Sequence, residues 1–287
     1  MSKMQMSKAP MSKTRLDVLL AERGLVESRE RAKAVIMSGN VFVAGNRADK
    51  PGAQVSPDAL VDIRAMPEFV SRGGHKLEKA IKVFGVSPAG KVCIDCGAST
   101  GGFTDCLLKN GACLVYAVDV GYGQLAWGLR NDPRVVTMER TNIRHVTADM
   151  FALKPEIAVI DVSFISLSLV LPVISGLLTD DGEALCLIKP QFEAEREQVG
   201  KKGVVRDPLT HKSVLDAFME YSALCGFSVK AISYSPLRGP EGNIEFLGWL
   251  RKQGAKVLRE ETRGSIDTGG IVAEAHNEQS EKNNHLS

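Results

Sequence analysis

KVCIDCGASTGGF, residues 91–103, is the stretch that decides the fold. An apolar run (Val92, Cys93 and Ile94) ends in the carboxylate Asp95, and a glycine-rich loop follows. This order predicts a buried strand, a tight turn and the start of a helix. Glycines let the backbone approach a ligand closely, and a helix N-terminus offers free N–H groups. The spacing G-x-x-x-G-G differs from the G-x-G-x-x-G of dinucleotide binders and favours a nucleoside-type cofactor such as S-adenosylmethionine (SAM).

Helical and strand-like segments alternate from Lys76 onward, which predicts a mostly parallel sheet with helices on both faces. The predicted helices cover residues 76–84, 102–110, 124–130, 166–177 and 208–224. The predicted strands cover residues 91–95, 113–119, 134–138, 157–162, 183–188, 228–234 and 243–250. Seven strands in this pattern indicate an α/β fold, the Rossmann-like seven-stranded architecture of SAM-dependent methyltransferases.

Composition and charge indicate a globular chain with a basic N-terminal part. Of 287 residues, 44% are hydrophobic. Residues 1–80 carry 14 Lys and Arg against 9 Asp and Glu, whereas the remainder is slightly acidic. This asymmetry favours an anionic partner for the N-terminal module, although a basic solvated surface would look similar. The first residues lack the apolar segment of a signal peptide, so a cytoplasmic protein is expected.

Two features could suggest other classes of protein. Cys93-x-x-Cys96 resembles half a metal or redox site, but the pair lies in an apolar run without a second pair, so we expect buried thiols and no metal. Residues 157–178 carry a single charge, Asp161, and approach the length of a membrane span. Serines and Pro172 interrupt this segment, so a strand, a turn and a buried helix explain it better, without stable membrane association.

Residues 15–63 read as a separate small α+β module. Leu16, Leu19 and Leu20 have helical spacing, and Ser28 can cap a second helix. The module resembles the RNA-binding fold named after the fourth small-subunit ribosomal protein. The resemblance rests on Arg15-Leu-Asp-x-x-Leu, Ser28-Arg29, Gly39-x-Val41-x-Val43-x-Gly45 and Lys50-Pro51. It implies binding of structured RNA, and basic side chains spaced to lie largely off the apolar faces are predicted to contact phosphates: Arg15, Arg29, Arg31 and Lys33.

Ligands of doubly wound sheets lie beyond the carboxyl ends of the strands, so polar residues at strand ends are the candidates for the site. The cofactor-binding set predicted there comprises Asp95, Gly97, Ser99, Thr100, Gly101, Gly102, Phe103, Asp119 and Asn142. Asp119 can accept two hydrogen bonds from the ribose diol, although it could also be a simple turn former. Asn142 is placed to meet the adenine edge.

Four charged residues converge on the same edge of the predicted sheet. Asp161 and Lys189 end strands, Glu245 lies at a late strand and Lys76 precedes the first. Buried charges need partners, so the set is either a structural ion-pair network or a catalytic group. A lysine crowded by another cation loses its proton more easily and can act as a base. We therefore expect Lys189 to take or orient the proton of a ribose 2′-hydroxyl, Asp161 to hold its ammonium group, and Lys76 and Glu245 to position substrate.

Other methyl acceptors leave different marks in a sequence. Amino-group methylation is associated with a polar residue, two prolines and an aromatic after the fourth strand, where this chain has Asp161-Val-Ser-Phe. Methylation at carbon 5 of pyrimidines needs a cysteine nucleophile, and Cys186 lies inside an apolar strand without a neighbouring Pro-Cys element. The ribose hydroxyl remains the favoured acceptor.

Long strings from Arg15 to Arg251 resemble the TlyA (hemolysin A) family. They include Ser-Arg-Gly-Gly-His-Lys76, Asp119-Val-Gly-Tyr-Gly-Gln-Leu-Ala-Trp, Lys189-Pro-Gln-Phe-Glu and Gly239-Pro-Glu-Gly-Asn-Ile-Glu245. The resemblance implies a SAM-dependent rRNA cytidine 2′-O-methyltransferase with an FtsJ-like domain, the Lys-Asp-Lys-Glu set, and ribosomal RNA and ribosomal subunits as partners. A membrane-active haemolysin and a noncatalytic RNA-binding protein are the alternatives. The segment Ala65-Met-Pro-Glu-Phe-Val lacks the family's Arg-x-Trp, so no coupling role is carried over to it.

These observations divide the chain into five parts. We expect a disordered tail (1–14), the small RNA-binding domain (15–63), a linker (64–75), the FtsJ-like methyltransferase domain (76–251) and a flexible tail (252–287). Three further basic residues, outside the small domain, are predicted to contact RNA: Arg72, Lys201 and Lys202. The loop around Lys201 and Lys202 could fold over RNA or remain a solvated connector.

Overall fold

A computed structural model describes residues 13–253 and 266–284, with side chains to residue 278. Of the tail predicted at residues 1–14, residues 1–12 lie outside the described part, whereas Thr14 belongs to a short strand, Thr14–Arg15. The chain divides into two compact units, residues 1–71 and residues 72–287. The division falls inside the predicted linker, because the first helix of the second unit already begins at Gly73.

The first unit packs two helices with short antiparallel strands. Its elements are β1 (Thr14–Arg15), α1 (Leu16–Glu22), α2 (Arg29–Met37), β2 (Val41–Val43), β3 (Asn46–Ala48), β4 (Gln54–Val55) and β5 (Val61–Ile63). β1 pairs with β4, and a second sheet has the order β3-β2-β5. Ser28 caps α2 as predicted, since its Oγ accepts the Arg31 N–H at 3.1 Å. The leucines of α1 and the apolar face of α2 form the core.

The second unit is built on a seven-stranded sheet. Its strands are β6 (Val92–Cys96), β7 (Leu114–Val118), β8 (Val135–Met138), β9 (Ile157–Ile160), β10 (Glu183–Ile188), β11 (Phe227–Tyr234) and β12 (Phe246–Lys252). The strand order is β11-β12-β10-β9-β6-β7-β8. β6 to β10 pair in parallel, and β12 is antiparallel to both of its neighbours. This is the predicted doubly wound, Rossmann-like architecture.

The helices of this unit cover the sheet. They are α3 (Gly73–Phe84), α4 (Gly102–Lys109), α5 (Trp127–Arg130), α6 (Leu171–Leu177), α7 (Pro190–Glu193), α8 (Pro208–Leu224) and α9 (Thr268–Asn284). The segment at 157–178 is confirmed as a strand, a turn and a buried helix (β9, a 3₁₀ turn at Leu167–Leu169 and α6). Cys93 and Cys96 are buried free thiols in β6, as expected. In the described ranges, no helix is long and apolar enough to cross a membrane.

The expectation of a flexible tail from residue 252 differs from the structure. Lys252 ends β12, and residues 254–265 lie outside the described residues, but Thr268–Asn284 form helix α9. Val272 and Ala275 of this helix are buried in the sheet's core cluster. Thr268 Oγ1 also donates to Asp216 Oδ1 of α8 at 2.7 Å. The expectation was wrong because α9 is polar in composition, and its few apolar side chains are buried only through packing against α8.

Candidate active site

Register explains how residues distant in sequence meet at one edge of the sheet. Asp161 directly follows β9 and Lys189 directly follows β10. Because β12 is antiparallel, its N-terminal end lies at the same edge, and Ile188 pairs with Phe246. Lys189 directly follows Ile188 and Glu245 directly precedes Phe246, so both residues lie at this edge of the sheet.

Lys189 is held by two oxygen acceptors. Its Nζ lies 2.6 Å from Asp161 Oδ1 and donates to Ser163 Oγ at 2.9 Å. The Lys189 side chain is 10% exposed and that of Asp161 is 23% exposed. The ammonium group therefore stands at the boundary between the core and solvent, where a charge is poorly hydrated and partners orient it strongly.

Lys76 and Glu245 form the second ion pair. Helix α3 carries Lys76, whose Nζ lies 2.5 Å from Glu245 Oε2, and the Glu245 side chain is 1% exposed. Gly239 packs against the same carboxylate, since a Cβ at this position would lie 2.5 Å from Glu245 Oε1. The four charged residues predicted from the sequence are thus arranged as two ion pairs, one from each side of the β10–β12 contact.

The glycine loop between β6 and α4 packs closely on its neighbours at two of its glycines. Gly97 has a φ of +89°, and a Cβ there would lie 2.4 Å from the backbone oxygen of Asp161. Gly101 has a φ of +96°, and its Cβ would lie 2.3 Å from Leu129 Cδ1. At Gly97 the close neighbour is backbone, so space and φ both require glycine, whereas at Gly101 the neighbours are leucine side-chain ends and the left-handed backbone is what favours glycine. The loop therefore passes directly beside the residue that holds Lys189.

Asp95 lies under this loop and is fully buried. Thr104 Oγ1 donates to Asp95 Oδ2 at 2.6 Å, whereas Oδ1 has no hydrogen-bond partner among the residues described. Burial raises the pKa of Asp95 to about 7, with smaller opposing and reinforcing effects from Thr104 and Asp161. The carboxyl group ties the loop to the first turn of α4 and leaves one acceptor unused.

We expect the titration of Asp95 to lower stability as pH rises. From its usual value of 3.8 up to about 7, the folded state retains a proton that the unfolded chain has lost. The free energy of unfolding then falls by up to ~1.4 kcal/mol per pH unit in this window. The stability that depends on this proton is fully present below pH 3.8 and is lost above a pH of about 7.

The substitution Asp95→Asn removes this titration and keeps an oxygen that can accept the hydrogen bond from Thr104. Urea unfolding of the wild type and Asp95→Asn across the window should show a steeper loss of stability in the wild type. Parallel pH profiles of the two proteins would contradict the assignment, since other titrating groups contribute equally to both.

Asp119 and Asn142 follow β7 and β8 as predicted. Asp119 accepts the N–H of Ser99 at Oδ2 (2.8 Å) and that of Gly121 at Oδ1 (2.6 Å). Each carboxylate oxygen keeps a further lone pair, so this anchoring leaves capacity for two hydroxyl donors. The Asn142 Oδ1 caps a 3₁₀ turn through Arg144 N at 3.1 Å, so its amide nitrogen is the group left for a ligand.

The other predicted cofactor residues lie in the same loop. Ser99 and Thr100 are exposed, whereas the remaining ones are buried at the start of α4: Gly101, Gly102 and Phe103. The predicted set thus lies at the end of β6, in the loop and the start of α4 that follow it, directly after β7 and shortly after β8.

Two features of the loop after β9 were not predicted from the sequence. Phe164 has a φ of +63° and is 91% exposed, and its ring centroid lies 5.1 Å from that of Phe192. An exposed aromatic on a strained backbone must be held by its surroundings. Phe164 lies three residues after Asp161, and Phe192 lies three residues after Lys189. This spacing is the sequence feature from which their position near the site could have been predicted.

Glu193 secures this loop. Its carboxylate accepts the Ser166 hydroxyl at 2.7 Å and the Leu167 N–H at 2.8 Å, and burial raises its pKa. Glu193 ends α7, which begins directly after Lys189. The segment that carries Ser163 and the segment that carries Lys189 are therefore bound to each other at a second point.

The loop around Lys201 and Lys202 is anchored at one side. Buried Asn243 accepts the Val205 N–H at 2.9 Å and donates to the Gly203 carbonyl at 2.8 Å. Lys201 and Lys202 remain exposed. The basic turn is thus fixed to the segment that leads to Glu245, and Asn243 is a further residue that the sequence did not reveal.

The other basic side chains predicted to contact RNA differ in their exposure and in their hydrogen bonds within the protein. Arg31 donates to the Pro67 carbonyl at 2.8 Å, so part of its guanidinium is committed inside the small unit. Lys33 Nζ lies 3.9 Å from Glu30 Oε1, an exposed pair of small energetic weight. Three other side chains are exposed or about half exposed: Arg15, Arg29 and Arg72.

Comparisons with known proteins agree with this geometry. The FtsJ-like methyltransferase profile matches residues 69–252 and the S4 domain profile matches residues 14–61. The 16S/23S rRNA (cytidine-2′-O)-methyltransferase TlyA of Mycobacterium tuberculosis is 46% identical over 249 residues, covering 86% of this chain and 92% of the relative. Hemolysin A of Brachyspira hyodysenteriae is 43% identical over 234 residues, covering 81% and 98% of the two chains.

A solved structure points the same way. A protein from Streptococcus thermophilus, named as a hemolysin, matches with a TM-score of 0.76 and 45% identity over 96% of this chain and 99% of that one. The resemblance inferred from sequence strings is therefore confirmed over both units. The chain belongs to the TlyA (hemolysin A) family and combines an S4 domain with an FtsJ-like methyltransferase domain.

Proposed function

We propose that this protein transfers a methyl group from SAM to the ribose 2′-hydroxyl of a cytidine in ribosomal RNA. The observation that carries the proposal is the placement of two ion pairs, Lys189–Asp161 and Lys76–Glu245, beside a glycine loop at one edge of the sheet. The acceptor follows from this charged set and from relatives named as rRNA (cytidine-2′-O)-methyltransferases. We further propose a cytoplasmic location, because a ribosomal substrate is found there.

The residues present fit SAM. The loop has no room for a Cβ at Gly97, Asp95 keeps an unpartnered oxygen, and Asp119 keeps lone pairs for a ribose diol. We assign the loop from Asp95 to Phe103 to the methionine part, Asp119 to the ribose and Asn142 to the adenine. When bound, SAM supplies an electrophilic methyl group on its sulfonium.

The four charged residues can then act on the acceptor. In its neutral form, Lys189 accepts the 2′-hydroxyl proton at Nζ, and Asp161 and Ser163 stabilise the ammonium group that results. Glu245 holds the Lys76 ammonium group through the second ion pair, so that Lys76 can position the substrate. Alignment of the hydroxyl supplies much of the remaining rate enhancement.

Recognition of RNA is divided among three surfaces. The S4 domain supplies arginines for phosphates, and Lys201 and Lys202 offer two further cations on an anchored turn. Phe164 offers an exposed ring on which a nucleobase can stack, and it packs against Phe192, whose ring centroid lies 5.9 Å from Lys189 Nζ. Single-stranded or extruded nucleotides are recognised in this way, so we expect the target ribose to lie outside a regular duplex.

Removing the Ser163 hydroxyl should slow transfer about tenfold, because one of the two acceptors that orient Lys189 is lost. The expected signature of Ser163→Ala is a lower kcat with an unchanged KM for SAM. Ser168→Ala, which removes a hydroxyl from the same loop that bonds Ser166 instead, is the matched control. Equal rates for Ser163→Ala and the wild type would contradict a role for Ser163.

Transfer of label from radiolabelled SAM tests the proposed function. Separate ribosomal subunits, intact ribosomes and naked ribosomal RNA serve as substrates, with lipid vesicles as the test of the haemolysin alternative. We expect label in ribosomal RNA without any lipid. Lysis of vesicles without SAM, and no label in any RNA substrate, would overturn the proposal.

A further inference from the structure

Asp17 is a buried acid in the middle of the predicted RNA-binding surface. Its side chain is 0% exposed, and two arginines donate to it. Arg15 uses Nε and Nη2 on Oδ1 and Oδ2, and Arg29 uses Nε on Oδ2, all at 2.9 Å. Because both guanidinium groups bond the same oxygen, they lie side by side. Arg15 directly precedes α1 and Arg29 is the first residue of α2.

Two adjacent cations repel each other unless an anion lies between them. Hydrogen bonds from Arg15, together with those from Arg29, hold the pKa of Asp17 well below its usual range, so the carboxylate stays charged. The Arg15 and Arg29 side chains are nevertheless 43% and 47% exposed. A guanidinium has five N–H donors. Asp17 takes only two from Arg15 and one from Arg29.

We propose that Asp17 is a positioning residue for RNA binding: it holds Arg15 and Arg29 as one preformed phosphate-binding pair and does not itself touch RNA. The inference rests on the proposed function, which makes RNA the anionic ligand. Without the carboxylate the two side chains would separate. Each would then have to be ordered when RNA binds, and the conformational entropy lost would weaken binding. Simple charge counting gives the opposite sign, because removing an acid from a basic surface should strengthen binding to a polyanion.

Asp17→Asn tests these opposite signs. The probe is a labelled fragment of ribosomal RNA, bound to the full chain in filter assays over a range of salt concentrations. We expect Asp17→Asn to weaken binding about tenfold and to flatten the slope of log K against log salt by about one, for the loss of one phosphate contact. Glu27→Gln is the matched control. It removes one exposed acid two residues before Arg29 and should bind as the wild type does, or more tightly.

Equal or tighter binding by Asp17→Asn would overturn the proposal, provided that the wild type binds. If Asp17→Asn does not fold, Arg29→Lys decides the question, since lysine keeps the charge but lacks the planar fork that Asp17 orients. Weaker binding by Arg29→Lys supports the pair, and unchanged binding contradicts it. Failure of the proposed function is distinguishable, because it would appear as absence of RNA binding or methyl transfer in the wild type itself.

Discussion

Replacing Lys189 by alanine is expected to reduce methyl transfer roughly 10²–10⁴-fold, the range typical of a lost acid–base group. The substitution removes the ammonium group that Asp161 and Ser163 orient, and it leaves no group at this position to accept the 2′-hydroxyl proton. Because the glycine loop and Asp119 lie on other strands, SAM binding should remain measurable. Single-turnover transfer and calorimetric titration with SAM give the two readings.

Lys230→Ala is the matched control for this variant, since Lys230 is an exposed lysine on β11 of the same sheet. Its rate should equal that of the wild type. If Lys189→Ala retained a rate within about tenfold of the wild type, Lys189 would be one member of a structural ion-pair network and not the proton acceptor.

The second large effect is expected from Gly97→Ala. A Cβ at this position would meet the Asp161 backbone oxygen at 2.4 Å, and the φ of +89° is strained for any other residue. The loop must move away from β9 or displace Asp161, so we expect loss of detectable SAM binding. The free energy of unfolding should also fall by about 3 kcal/mol, which combines backbone strain with overpacking.

Gly85→Ala separates strain from crowding. Gly85 ends α3 with a φ of +70°, but no atom lies within 4 Å of a Cβ built there. We expect a loss of about 1 kcal/mol for the left-handed backbone alone. Urea unfolding and SAM titration of both variants provide the comparison. Equal stabilities and equal SAM affinities would show that the contact between the loop and Asp161 is not essential.

The strands were predictable because each is an apolar run bounded by polar or turn residues. Strand β9 was predicted to reach residue 162, but it ends at Ile160. The reason is local. The Asp161 N–H still bonds the Cys96 carbonyl, but Gly97 packs against the Asp161 carbonyl, and the strand pairing ends there. Likewise, the helix predicted at 124–130 is reduced to Trp127–Arg130.

The pairing within the charged set follows from strand register, which a single sequence does not show. Lys189 and Glu245 are 56 positions apart and reach the same edge of the sheet only because Ile188 pairs with Phe246. Ser163 and Glu193 were missed for the same reason. Serine in a loop and glutamate in a short helix are ordinary residues until the fold brings them to Lys189 and to the loop after β9.

Helix α9 shows the limit of reading composition. Residues 268–284 are polar overall. The burial of Val272 and Ala275 could not be predicted from the sequence, because it depends on the packing of α9 against α8. In contrast, the glycine loop could be recognised early, because positive φ and close approach restrict its positions to glycine.

Nucleoside analysis of the methylated RNA tests the central claim most directly. Ribosomal RNA treated with the wild type and SAM is digested to nucleosides and examined by mass spectrometry, with Lys189→Ala as the inactive comparison. We predict 2′-O-methylcytidine in the wild-type sample and none above background with the variant. A methyl group found on the base, as 5-methylcytidine or N4-methylcytidine, would contradict the assignment of Lys189, Asp161, Lys76 and Glu245 to ribose methylation.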